Sequence, residues 1–193
     1  MKNNILIRID FQNDFVHPKG ALTISNLELI GKHQQFANKL PSKYFDKIID
    51  TYDTHFADTY SETLEAQNYP LHCLFDSWGW QQAAPFKPKL KAVKLYKSTT
   101  NIWNELNTYQ ILNEDWSKKT VYLCGVLSDI CVKQAMDGFL ERGANIVIFE
   151  DLCQGIEKQI SDILKEKTYH TYIKQGALKS ITSAQFFSDN LGA

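Results

Sequence analysis

The sequence predicts an α/β fold: a three-layer, mostly parallel, doubly wound sheet with helices on both faces. Three observations carry this. Short apolar runs rich in β-branched residues recur along the chain, segments of helical spacing lie between them, and 193 residues at 44% hydrophobic content suffice for one buried core. A strand covered on both faces reads as a continuous apolar run, and strand–helix alternation is the pattern of parallel sheets.

The first strand is residues 5–9, where Ile5, Leu6, Ile7 and Ile9 surround a single Arg8. A helix of the right spacing follows over 27–40, and a second strand over 47–52. The segment 53–88 has no clean period and is rich in His, Tyr, Trp and Pro. Long irregular stretches of this kind in a compact domain are usually functional, and the aromatic content favours order. Strands resume at 93–96 and 121–124. Cys131, Ala135, Met136, Phe139 and Leu140 then repeat at helical spacing, predicting a helix over 129–142 that Gly143 ends. A fifth strand is expected at 146–149, a helix at 156–174 and a weaker sixth strand at 177–181. No repeat or linker divides the chain, so one domain over 1–193 is expected.

Lysine and arginine number 21 against 22 acidic residues, so the chain lacks the basic surplus that drives binding to nucleic acid or anionic lipid. The apolar N-terminal stretch is interrupted by Arg8 and Asp10 and lacks a signal-peptide pattern, and no run is long enough to span a membrane. Cys73, Cys124, Cys131 and Cys153 form no Cys-x-x-Cys pair, which points away from a disulfide framework and toward a reducing, cytoplasmic setting. No strand is followed by a Gly-x-Gly-x-x-Gly loop, which disfavours a nucleotide-binding fold.

In open α/β sheets ligands bind beyond the carboxyl ends of the strands. Those ends are chemically loaded: Asp10 closes the first strand, Asp53 and His55 the second, Lys97 the third, and Ser128-Asp129-Ile130-Cys131 follows the fourth. Asp10, at the mouth of an aliphatic strand, fits a general base whose pKa burial raises; equally it fits an acid that caps a turn or pairs with Arg8. Cys131, in the first turn of its expected helix, meets unpaired amides that favour a thiolate and can hold an oxyanion; the alternative is a core cysteine. Cys124 and Cys153 are read as core residues. Lys97 can orient the acid and lower a thiol pKa, or be an ordinary solvated lysine; strand alternation puts its rival Lys94 on the other face. Asp53 and His55 with His72 form a set suited to zinc, iron or manganese, although Asp-x-His alone also describes a turn acid beside a surface histidine. Cys73 is read as packing, and His17, His33 and His170 as surface or packing residues.

Three stretches together resemble the nicotinamidase and isochorismatase-like cysteine hydrolases. These are Ile9-Asp10-Phe11-Gln12-Asn13-Asp14-Phe15; Asp53-Thr54-His55 with Tyr69-Pro70-Leu71-His72-Cys73, similar to the metal motif of nicotinamidases; and Cys124-Gly125-Val126-Leu127-Ser128-Asp129-Ile130-Cys131-Val132. Glu150-Asp151-Leu152-Cys153 adds a fourth match, and all stand in family order.

The resemblance implies a triad of Asp10, Lys97 and Cys131, an oxyanion hole from the amides of Leu127 and Cys131 beside a cis Val126–Leu127 peptide, and a divalent metal held by Asp53, His55 and His72, zinc before iron or manganese. It implies deamidation of nicotinamide to nicotinate through a thioester, as in NAD salvage. Asp10 would move the protons, the metal would hold the ring nitrogen, and Asp10 or the metal would activate water. Phe15 and Tyr69 match positions that pack on the substrate ring, and Ile130 with Leu127 would form the wall beside the scissile amide. The partner implied is a small-molecule amide, with a homo-oligomer left open. Leu127-Ser128 stands where Ala-Thr is common, Ile130 where an aromatic is, Tyr69 where Trp is, and Ser98 where Gly often follows the lysine. These changes favour a second expectation, hydrolysis of another small amide or carbamoyl compound. A third, from another class, is an inert binding protein on a hydrolase scaffold.

Overall fold

A continuous aliphatic run belongs at the centre of a sheet, where helices cover both faces and a strand pairs with each edge, and the first strand has a partner on both sides. The computed structural model of the chain describes residues 3–191. The ends of the expected 1–193 domain, including the first two residues of the N-terminal stretch, lie outside the described residues. Strand β1 (Asn4–Ile9) lies between β2 (Lys47–Asp53) and β4 (Thr120–Val126). Strand β3 (Val93–Lys97) is one edge; β5 (Asn145–Gln154) and β6 (Leu178–Ile181) complete the other half. The order is β3-β2-β1-β4-β5-β6 and every pairing is parallel. The sheet is therefore wholly rather than mostly parallel, because each connection is long enough to return the chain to the same end.

Helices α1 (Asn13–Val16), α2 (Leu27–Lys39), α3 (Leu106–Leu112), α4 (Lys133–Glu141), α5 (Ile160–Ile163), α6 (His170–Lys174) and α7 (Ser183–Leu191) lie in the connections and at the C-terminal side. Crossovers are right-handed, so reversing the direction of progression at β1 puts α2 and α4 on opposite faces of the sheet. Phe36 of α2 and Phe186 of α7 pack on Phe149 of β5, with ring centroids 4.9 and 5.3 Å away. Phe139 of α4 packs between Trp103 and Trp116, each at 4.8 Å.

Two expected helices are corrected. The span 156–174 is α5, a 3₁₀ turn (Lys167–Tyr169) and α6, because Gln159 and Asp162 form a capping box that starts α5 late and Glu166 is extended (φ −66°, ψ 137°). The span 129–142 opens as a π turn (Ser128–Val132) and becomes α-helical only at Lys133. Helices α1, α3 and α7 were not expected from the sequence; the first two are too short to show a period. The segment 53–88 is ordered through 3₁₀ turns, a parallel bridge between His55 and Leu74 and an antiparallel one between Gln12 and Gln82. It covers a second, smaller core around Phe11, Phe15, Tyr52, Cys73 and Trp80. No helix among the described residues is long and apolar enough to cross a membrane.

The order of the strands fixes where a site can form. Connections leave β1 and β4 in opposite directions, so a crevice opens between their carboxyl ends. Gly125 is needed there: its φ is 118°, and a Cβ would strike the backbone of Ile9.

Candidate active site

Asp10 follows β1, Lys97 ends β3, and Cys131 lies in the π turn after β4, so the three come from separate strand ends into one crevice. Lys97 Nζ is 2.8 Å from Asp10 Oδ2 and 3.4 Å from Asp53 Oδ1, and it donates to the Thr99 carbonyl at 2.9 Å. The Thr51 hydroxyl donates to Asp10 Oδ1 at 2.6 Å and accepts the Asp10 amide at 3.0 Å. Asp10 itself takes a left-handed backbone, φ 45°, an uncommon conformation for a residue with a Cβ. The Asp10 carboxyl is close enough to the Cys131 thiol to act on it electrostatically. Arg8 does not compete for Asp10; it pairs with Asp50 at 2.7 and 2.9 Å. Lys94 is exposed on the other face, over the rings of Tyr52 and Trp80, as strand alternation requires.

Burial pushes the Asp10 carboxyl up, against the pull of Lys97. Burial would also discharge Lys97, but Asp10 and Asp53 outweigh it and raise its pKa well above the usual lysine value. The pair is thus an ammonium between two carboxylates in a site closed to solvent. Burial pushes the Cys131 thiol well up as well; Lys97 opposes this, while Asp10 and Asp53 add to it. Burial and the two carboxyl groups thus work against the thiolate that a helix terminus was expected to favour, and Lys97 works for it.

Around Cys131, the Leu127 carbonyl accepts from the amides of Ile130 and Val132, each at 3.1 Å, and the Val126–Leu127 peptide is cis. Asp129, which sequence reasoning did not single out, accepts from the amides of Ile156, Glu157 and Lys158 at 3.2, 2.7 and 3.1 Å, tying this turn to the loop after β5.

Alongside lies a cluster of metal-ligating side chains. His55 Nε2 and His72 Nε2 are 3.1 and 3.0 Å from Asp53 Oδ2. Glu65 joins them, with Oε2 3.3 Å from His55 Nε2 and 3.6 Å from His72 Nε2. One donor atom from each of Asp53, His55, Glu65 and His72 falls within 4.8 Å of the others, a carboxylate–imidazole set that fits a divalent cation. Glu65 was missed because it sits in a 3₁₀ turn (Glu65–Gln67) of the irregular segment, with no pattern to mark it. His72 Nδ1 is 2.8 Å from the Pro70 carbonyl, which orients the ring. The backbone of Asp53 is held on both sides by Gln12, whose Nε2 donates to the Asp53 carbonyl and whose Oε1 accepts its amide, both at 2.8 Å. Without a cation, burial opposes charge on His55, but Asp53 and Glu65 prevail and raise it to about 9.

These groups share one cavity of about 660 Å³, which Asp53, Glu65, His72, Lys97 and Cys131 line together with Phe15, Tyr69, Leu127 and Ile130. Asp10 and His55 do not line it themselves but contact Lys97 and Asp53, which do. Cys73, Cys124 and Cys153 are buried in packing positions. His33 is buried against Phe11 at 3.5 Å, His17 packs on Trp78, and His170 is exposed.

Comparison with known proteins identifies the family and the fold. The family model described as an isochorismatase domain matches residues 4–173. A nicotinamidase of Saccharomyces cerevisiae is 24% identical over 203 residues, covering 84% of this chain and 93% of the relative. Among solved structures, a pyrazinamidase of Pyrococcus horikoshii in complex with zinc superposes with a TM-score of 0.70 at 25% identity, over 93% of this chain and 99% of its own. An isochorismatase family protein of Desulfovibrio vulgaris gives 0.72 at 16% identity over the whole of both chains, a likeness of fold.

Proposed function

This chain belongs to the isochorismatase family, and we propose that it deamidates nicotinamide to nicotinate and ammonia through a thioester on Cys131. The observation that carries the reading is that a buried carboxyl–ammonium–thiol group and an Asp–His–Glu–His donor cluster open on one cavity. The curated relative named a nicotinamidase and the zinc-bound pyrazinamidase support it.

In this reading Asp10 takes the thiol proton as Cys131 Sγ attacks the carboxamide carbon. The carbonyl oxygen gains the negative charge, and the amides of Leu127 and Cys131 are proposed to receive it. Asp10 returns the proton to the nitrogen, the C–N bond breaks and ammonia leaves. Water then attacks the thioester carbon while Asp10 takes one of its protons; the sulfur departs and regains that proton, and the carboxylic acid formed ionises to nicotinate, its proton passing to the released ammonia. Lys97 keeps Asp10 and Asp53 together at close range throughout. Phe15, Tyr69 and Ile130 are proposed to pack on the ring. Asp53, His55, Glu65 and His72 would hold a divalent ion, zinc by analogy with the Pyrococcus protein. Such an ion supplies Lewis acidity and a coordination position for a ring nitrogen.

The test is ammonia release from nicotinamide by purified protein supplied with zinc: release that Cys131→Ala abolishes supports the reading, and no release overturns it. The changed cavity wall, with Leu127, Ile130 and Tyr69, favours a second reading, hydrolysis of another small amide or carbamoyl compound on the same machinery. A panel of amides separates the two.

A further inference from the structure

We propose that Asp14 is a positioning residue that sets the His72–Cys73 turn of the donor cluster and the cavity wall at 20–24 relative to each other. The inference rests on the metal reading above. Asp14 sits in the short helix α1, next to Phe15, with only 8% of its surface exposed. A carboxylate so buried needs strong hydrogen-bond partners, and those it has are backbone amides. Its Oδ2 accepts the Cys73 amide at 2.7 Å and its Oδ1 accepts the Ala21 amide at 2.9 Å. Its own backbone extends the junction: the amide donates to the Gly79 carbonyl at 2.9 Å, and the carbonyl accepts the Leu22 amide at 3.1 Å. One residue thus joins three separate stretches of chain.

Two of those stretches face the cavity. The first carries His72, whose Nε2 stands 3.0 Å from Asp53 Oδ2. The next residue, Cys73, holds a left-handed backbone, φ 45°, a conformation that persists only where the surroundings enforce it. Asp14 accepts the amide of that same residue. The second stretch, Gly20 to Ile24, lines the cavity directly. The third explains a glycine: a Cβ on Gly79 would land on the Asp14 carboxylate, so position 79 leaves room for this group. Asparagine cannot replace it, because both oxygens accept N–H groups and an amide side chain offers one acceptor.

The experiment compares wild type, Asp14→Asn and Gly79→Ala. Zinc affinity is measured by competition with a chromogenic chelator, alongside nicotinamide KM and kcat at saturating zinc and the thermal midpoint. Asp14→Asn is expected to weaken zinc binding by about 10–100-fold, the range for partners that orient a metal ligand, and to raise KM more than it lowers kcat. Gly79→Ala is expected to shift both in the same direction with Asp14 intact, and it carries the test if Asp14→Asn does not fold. Variants whose zinc affinity and KM match wild type, with or without a lower thermal midpoint, overturn the proposal and leave Asp14 a purely structural residue. A wild-type protein that binds no zinc overturns the metal reading and this proposal with it.

Discussion

Lys97 Nζ lies 2.8 Å from Asp10 Oδ2, with both side chains closed to solvent. Removing the ammonium would leave Asp10 and Asp53 as buried carboxylates without their shared cation. Lys97→Met is therefore expected to cost about 3–5 kcal/mol of stability near neutral pH, measured by urea denaturation. A loss below about 1 kcal/mol would show that the pair contributes little.

The same pair has an alkaline signature. Because the folded pKa of Lys97 is raised above its unfolded value, the stability it contributes is complete below about pH 10.4 and declines as pH climbs toward the folded pKa. Wild type should lose stability in that range more steeply than Lys97→Met; parallel curves would contradict the assignment.

Cys131→Ala should lower nicotinamide turnover by at least about 10⁴-fold while the thermal midpoint moves little, since the side chain is small. Alkylation kinetics give a second measure. Cys131 should react faster than the buried Cys124, and Asp10→Asn should slow it; equal rates at both cysteines would favour an inert scaffold.

The acid limb of kcat/KM should lie above about pH 3.9, the ordinary aspartate value, because burial raises Asp10. Activity falls as pH drops through that limb, where Asp10 gains the proton it must accept from the thiol. A limb at or below the ordinary value would exclude Asp10 as the base.

Glu65→Gln is expected to weaken zinc binding by at least about tenfold, as read by metal content after dialysis. A chelator should stop turnover in wild type and added zinc should restore it. Unchanged zinc content in Glu65→Gln would reduce the donor set to Asp53, His55 and His72.

Leu127→Ala or Ile130→Phe should change the ratio of kcat/KM between nicotinamide and a bulkier ring-substituted amide by about 1–3 kcal/mol, with the reaction itself retained. An unaltered ratio would place the ring elsewhere in the cavity.

The strands and the polar residues that close them, Asp10, Asp53 and Lys97, were legible in the sequence, because a buried strand and its end are local features that period and composition reveal, whereas Cys131 was marked out only by the family resemblance. Which strand ends become neighbours is settled by pairing between distant segments, so only the tertiary structure put β1 between β2 and β4 and brought Lys97 against Asp10 and Asp53. Gln12 and Asp14 belong to the same class, since they act through Asp53 and Cys73 far along the chain, and Glu65 lies in a segment without a period to mark it. The upward push on the Cys131 thiol belongs there too, because desolvation depends on everything packed around a sulfur, whereas the turn that carries it is all the sequence shows.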